Sequence, residues 1–300
     1  MIDFKVPRSK DKVLIDTKKW IQNSSGLSIH RMSGRDLPTY IATVLSENIE
    51  NERLKGTIKE GDTVLLTRVV SDISMSSSFS VGLEGSNYYN VPIMQVLGVF
   101  EGNEVSFSTL HMIFDKVLIK KIETSGSLIL PDDQTMIGEI VKTGTCKFSK
   151  DWDVLPLPVK VGDKVLLRDN ICTEVFLNGE YYYAAEVSMI VGIFQDEEFT
   201  LEKADIISES IVMREYIPER ALSSSLLTPL MNFEDADLTD IYNRDLFKVV
   251  AVDKNLTKIK KDDILLLDRN VANYVYYREN KYFILNGTDY VEAKIEEGKE

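Results

Sequence analysis

Apolar residues along this chain fall in short runs between turn-forming residues and do not recur at helical spacing. KVLIK at 116–120, GEIVK at 138–142, DKVLL at 163–167 and YYYAA at 181–185 are rich in β-branched, leucine and aromatic side chains, the composition of short strands. Gly61-Asp62 and Gly162-Asp163 each precede such a run. There glycine tolerates positive φ and aspartate can accept from nearby backbone amides, which predicts a tight turn into a strand. Asn178-Gly179 lies between EVFL and EYYYAA and predicts a two-residue hairpin. No segment carries a long 3.6-residue apolar period, so the chain reads as all-β.

The strand pattern repeats. DKVLI at 11–15 returns at 115–119, and IKEGDTVLL at 58–66 returns as VKVGDKVLL at 159–167 and again as IKKDDILLL at 259–267. IMQVLGVF at 93–100 is echoed by SMIVGIF at 188–194, SIVMREY at 210–216 opens a third copy, and LFKVVAVDKN at 246–255 corresponds to IGEIVKTGT at 137–145. The period is about 100 residues. It predicts three consecutive small, partly open β-barrels over residues 1–105, 106–200 and 201–300.

A hydrophobic fraction of 44% with 28% charged residues supports folded domains. The net charge of −13 argues against a nucleic-acid partner, which needs clustered positive charge. No apolar run approaches a membrane span and the start, MIDFKVPRSKDK, lacks the apolar stretch of a secretion signal, so no membrane partner and a cytoplasmic location are expected. The two cysteines, Cys146 and Cys172, and two histidines, His30 and His111, show no metal-ligand spacing, and no phosphate-binding or nucleophile-elbow motif occurs. The expectation is a protein without catalysis, cofactor or metal. The cysteines read as small apolar fillers, and Tyr88-Tyr89 and Tyr181-Tyr182-Tyr183 as aromatic residues packing on the two faces of strands.

The middle copy carries a recognisable pattern: DKVLIKKIETSGSLILPDDQTMIGEIVKTGT, then LPVKVGDKVLLRDN, then GEYYYAAEVSMIVGI. These segments resemble the chaperonin-10 (GroES) family from end to end, and the flanking copies are recognisable through this one. The resemblance implies GroES-like barrels and a non-enzymatic co-chaperonin that engages a GroEL-type chaperonin through apolar mobile loops. Small residues precede apolar ones at the corresponding place in each copy: Ser125-Gly126-Ser127 before Leu128, Ile129 and Leu130, then Ser24-Ser25-Gly26 before Leu27 and Ile29, then Ser223-Ser224-Ser225 before Leu226, Leu227 and Leu230. Those eight apolar residues are the candidate partner-binding set. The competing reading is that they begin the following strands and face the core.

A second function class is a structural or assembly component built from fused barrels, for example in a phage particle, which would extend the expected location to a host cytoplasm or virion. Family subunits associate through their terminal strands, which implies self-association through strand edges near 1–15 and 285–295. An alcohol-dehydrogenase reading, suggested by the GroES-like barrel of the zinc enzymes, fails on absent zinc ligands and an absent dinucleotide-binding half.

Overall fold

The computed structural model describes residues 10–16, 41–67, 88–102, 104–122, 136–168, 172–196, 198–216, 227–229, 245–268, 271–277 and 280–295. Short strands dominate them, interrupted by 3-10 turns such as Ile93–Gln95, Val187–Met189 and Leu201–Lys203. No helix among the described residues is long and apolar enough to cross a membrane. The chain divides into two compact units, one of residues 1–120, 141–161 and 172–186, the other of 121–140, 162–171 and 187–300.

The strands among the described residues form three antiparallel sheets and a small hairpin. The first sheet contains β1 (Lys12–Asp16), β2 (Ile41–Asn48), β3 (Thr63–Leu66), β4 (Tyr88–Pro92), β5 (Val96–Phe100) and β6 (Leu110–Met112), in the order β4-β1-β2-β3-β5-β6. Next along the chain come β7 (Lys116–Lys121), β8 (Met136–Thr143), the hairpin strands β9 (Lys147–Phe148) and β10 (Val154–Leu155), and β11 (Lys164–Leu167). With β12 (Thr173–Leu177), β13 (Glu180–Glu186), β14 (Ile190–Ile193) and β15 (Asp205–Ile206), the second sheet has the order β12-β13-β7-β8-β11-β14-β15. The third sheet comprises β16 (Ser210–Glu215), β17 (Leu227–Pro229), β18 (Asp245–Val252), β19 (Ile264–Leu267), β20 (Asn273–Tyr277), β21 (Asn280–Asn286) and β22 (Ala293–Ile295). Its order is β17-β22-β19-β18-β16-β21-β20.

The all-β expectation therefore holds, whereas the expected barrels are open sheets. Closure requires the two outermost strands to share a ladder. Here each sheet ends on a strand of two or three residues (β6, β15 and β17), and among the described residues none of these pairs with the opposite edge.

Five strands of each sheet, β4-β1-β2-β3-β5, β13-β7-β8-β11-β14 and β21-β16-β18-β19-β22, follow one order, and the turns before β3, β11 and β19 make matching hydrogen bonds. In the first sheet Gly61 N–H donates to Val44 O (2.9 Å) and Val44 N–H to Asp62 O (2.9 Å). The second repeats this with Gly162 to Ile140 (2.8 Å) and Ile140 to Asp163 (2.9 Å), and the third with Asp262 to Val249 (2.9 Å) and Val249 to Asp263 (2.8 Å). The turn needs positive φ: +88° at Gly61, +91° at Gly162 and 70° at Asp262, where the third sheet places an aspartate instead of glycine. The following aspartate also accepts a backbone amide, Lys59 N–H to Asp62 Oδ2 and Lys260 N–H to Asp263 Oδ2, both at 2.7 Å. Asn178 and Gly179, at φ 52° and 85°, link β12 to β13 with Leu177 facing Glu180, the left-handed pair that a two-residue hairpin requires.

Packing follows the strand alternation. Val13, Ile15, Val44, Val64 and Val91 fill the first sheet's own core, and Ile211, Met213, Phe247, Leu265 and Phe283 the third's. A further core joins Leu65, Phe100 and Met112 to Leu118, Val175 and Tyr182 within the first unit. Its counterpart in the second unit joins Leu166, Phe194 and Ile206 to Val212, Val275 and Tyr282. Each such side chain contributes about 1.5–3 kcal/mol on burial. On β13, Tyr182 points inward at 7% exposure while Tyr181 is 38% exposed, the expected alternation.

Candidate functional site

The connection after the first strand of each set carries the candidate residues, and the sheets fix where those connections begin and end. In the middle sheet Ile122 N–H donates to Ile137 O (2.9 Å), closing the stem on which residues 123–136 are carried. In the third sheet Tyr216 N–H donates to Leu246 O (2.8 Å) at the corresponding position. In the first, Asp16 pairs with Thr43. A rigid ladder thus anchors both ends of each connection. For residues 123–136 the chain length bounds the reach to about 25 Å from the stem.

Leu128, Ile129, Leu130, Leu27, Ile29, Leu226 and Leu230 lie outside the described residues. Leu227 belongs to β17, whose backbone pairs with β22: Leu227 with Ile295, Thr228 with Lys294 and Pro229 with Ala293.

The β9–β10 hairpin places an exposed apolar group that the strand pattern does not announce. Trp152 is 39% exposed, Val154 57% and Leu155 40%. The tip is pinned by Ser149, whose amide donates to Asp153 O (2.9 Å) and whose Oγ accepts from Asp151 N–H (3.2 Å) and Asp153 N–H (2.9 Å). Behind it a ladder of rings runs from the core outward, Phe114 to Phe148 and Phe148 to Trp152, with centroids 5.5 Å apart at each step. The signal was present in DWDVLPLP at 151–158, an apolar run in an otherwise polar segment.

Burial pushes the Cys172 thiol up to about 11, which removes it as a thiolate nucleophile at neutral pH, while Cys146 is half-buried. His111 is exposed on β6 with Nε2 3.4 Å from Glu101 Oε2. Lys116 is fully buried, with Nζ 2.8 Å from Asp115 Oδ1 and 2.9 Å from Glu186 Oε1. Lys142 sits 2.7 Å from Leu110 O, and desolvation lowers its pKa. Among the described residues, no three His, Cys, Asp or Glu side chains are grouped to hold a metal ion.

Each sheet is thus a β-module whose ladder anchors both ends of the connection after its first strand. The chaperonin 10 Kd subunit family matches residues 109–194. Residues in this region are 38% identical over 96 residues to the co-chaperonin GroES of Rhizorhabdus wittichii, covering 98% of that protein and 30% of this chain. The GroES of a Hydrogenobaculum species is 33% identical over 94 residues and that of Pelobacter propionicus 36% over 93, again at 98% of the relative's length. The chain belongs to the chaperonin 10 family, with 98% of the length of these relatives matched within about 30% of it.

Proposed function

We propose that this protein is a non-enzymatic co-chaperonin-like protein made of three tandem GroES-like domains, near residues 1–105, 106–200 and 201–300. The middle domain engages a GroEL-type chaperonin through Leu128, Ile129 and Leu130. The observation that carries the reading is the near-complete coverage of co-chaperonin relatives by the middle third of the chain. The shared order of five strands in each sheet and their matched turn hydrogen bonds support the tandem assignment. The closed stem at Ile122 and Ile137 supports the loop's role, because it fixes both ends of the connection that carries the apolar tripeptide. One such loop binds weakly after the cost of ordering it, so useful affinity draws on several loops: Leu27 and Ile29 in the first domain, and Leu226, Leu227 and Leu230 in the third.

The test is the mass of the native assembly with and without a GroEL-type chaperonin and nucleotide. A nucleotide-dependent complex supports the reading, and no complex under any nucleotide condition opposes it. The β17–β22 pairing favours a second reading for the third domain, in which Leu227 serves a structural or assembly role, as in a phage particle, and not chaperonin contact.

A further inference from the structure

The turns that lead into β1, β7 and β16 are sealed in two different ways. Ahead of β1, Asp11 Oδ1 accepts the amides of Glu50 (3.0 Å) and Asn51 (2.9 Å). Beside the start of β16, Asp253 accepts the amide of Glu209 at Oδ2 (2.8 Å) and that of Asn255 at Oδ1 (2.9 Å), and its own N–H donates to Ser210 O (3.0 Å). In the middle sheet the residue that makes this last bond is Gly144, whose N–H donates to Lys116 O (2.7 Å). Glycine has no side chain to act as a cap. A Cβ on Gly144 would lie 2.2 Å from Phe114 O and 2.7 Å from Ile113 C, so backbone fills the place that a carboxylate takes at β16. Phe114 turns there at φ 50°, and its ring packs with the first sheet's core. The middle junction is therefore apolar.

A cavity of about 290 Å³ opens at this junction, within the first unit. Buried Met112, Ile113 and Phe114 line it, together with Phe148 and half-buried Cys146. The Phe114 and Phe148 rings, tilted by 57° with centroids 5.5 Å apart, offer a face and an edge to a third ring. Exposed Val154 and the polar side chains of Thr57 and Arg53 also contribute. Arg53 is the charged residue of the lining. Its Nη2 is 3.8 Å from Asp153 Oδ1, beyond hydrogen-bond length, and both side chains reach solvent. The guanidinium fork thus keeps donors for another carboxylate.

We infer that this cavity is a binding site for a small aromatic carboxylate, with its ring against Phe114 and Phe148 and its carboxylate on Arg53. Apolar walls with one well-placed charged group are the usual make-up of a small-molecule site. The volume lies at the lower end for such sites, which limits the ligand to about one ring and a short acidic chain. Arginine selects a carboxylate because its planar fork matches the two oxygens. The inference goes beyond chaperonin binding and does not depend on it.

The test uses the full chain without chaperonin. A fluorine-labelled phenylpropionate and the matching phenylpropanol are titrated in and followed by fluorine NMR, with alkylation of Cys146 and Cys172 measured at each concentration. The acid should saturate and bind about fivefold more tightly than the alcohol. Alkylation of Cys146 should slow in step with occupancy while that of Cys172 does not change. Arg53→Met should weaken the acid about fivefold and leave the alcohol as it was. Thr57→Leu, which adds bulk to the lining, should weaken both. The inference is overturned by an acid that does not saturate, by equal affinity for acid and alcohol, or by Cys146 alkylation indifferent to saturating acid. An Arg53→Met chain that binds the acid as tightly as the native chain overturns it too. If Thr57→Leu melts below the native chain, Arg53→Met and the Cys146 readout decide.

Discussion

Lys116 Nζ lies 2.9 Å from Glu186 Oε1 across the β7–β13 ladder, with the lysine side chain wholly buried and Asp115 Oδ1 2.8 Å away on its other side. A buried ammonium is tolerated only while its partners remain, because desolvation otherwise outweighs what the fold returns. Glu186→Ala should therefore cost about 1–3 kcal/mol, less than a fully isolated charge because Asp115 remains. Lys116→Met removes the charge and keeps the volume, and should stay within about 1 kcal/mol of the native chain. Denaturant melts of both variants check this, and a Lys116→Met loss larger than that of Glu186→Ala would contradict it.

The same ladder shows where the sequence stops being legible. DKVLI occurs twice, yet Lys12 faces Pro92 and is only partly buried, while Lys116 faces Glu186 and is fully buried. In the third sheet the equivalent pair is Ser210 and Asn286, and Arg168 Nη2 donates to both at 3.1 Å. Identical pentapeptides thus meet different partners, because a residue's environment is set across the ladder by a segment some seventy positions away. The strand existence, the Asn178-Gly179 hairpin and the glycine turns were readable because each depends on local backbone preference. Open sheets, the Trp152 hairpin and the pairing of β17 depend on which edges meet, and local pattern carries no such information.

The shared turn gives a second test. Gly162 sits at φ +91° with open space around its missing Cβ, so Gly162→Ala meets backbone strain alone and should lose about 1–2 kcal/mol. Asp262 already holds this conformation at φ 70°, and Asp262→Gly should leave stability unchanged or raise it by up to about 1 kcal/mol. Equal losses in the two variants would contradict the common turn geometry.

Two groups predict an alkaline limit. Burial, first among its causes, raises the Tyr183 hydroxyl to about 12, and burial raises the Cys172 thiol to about 11. Both fold in the protonated form, so their stabilisation is complete below their ordinary values near 9 and 10 and is lost as pH rises through 11 and 12. Stability should fall steadily across that window, and Cys172→Ala should flatten its lower half. A stability profile that stays flat from pH 9 to 12 would contradict this.

Thiol labelling separates the two cysteines at neutral pH. Half-buried Cys146 should react with an alkylating reagent at least tenfold faster than buried Cys172, and unfolding should equalise them. Equal rates in the folded protein would contradict the burial of Cys172.

Ile129 carries the central claim. The decisive measurement is binding of the native chain and of Ile129→Asp to a GroEL-type chaperonin with nucleotide, read alongside thermal melting of each. The account predicts that the native chain forms the complex and that Ile129→Asp loses it at an unchanged melting temperature, because the charge enters the partner's apolar groove and not the core of the sheet. A native chain that never binds, or an Ile129→Asp variant that melts far lower while binding is unaffected, would contradict it.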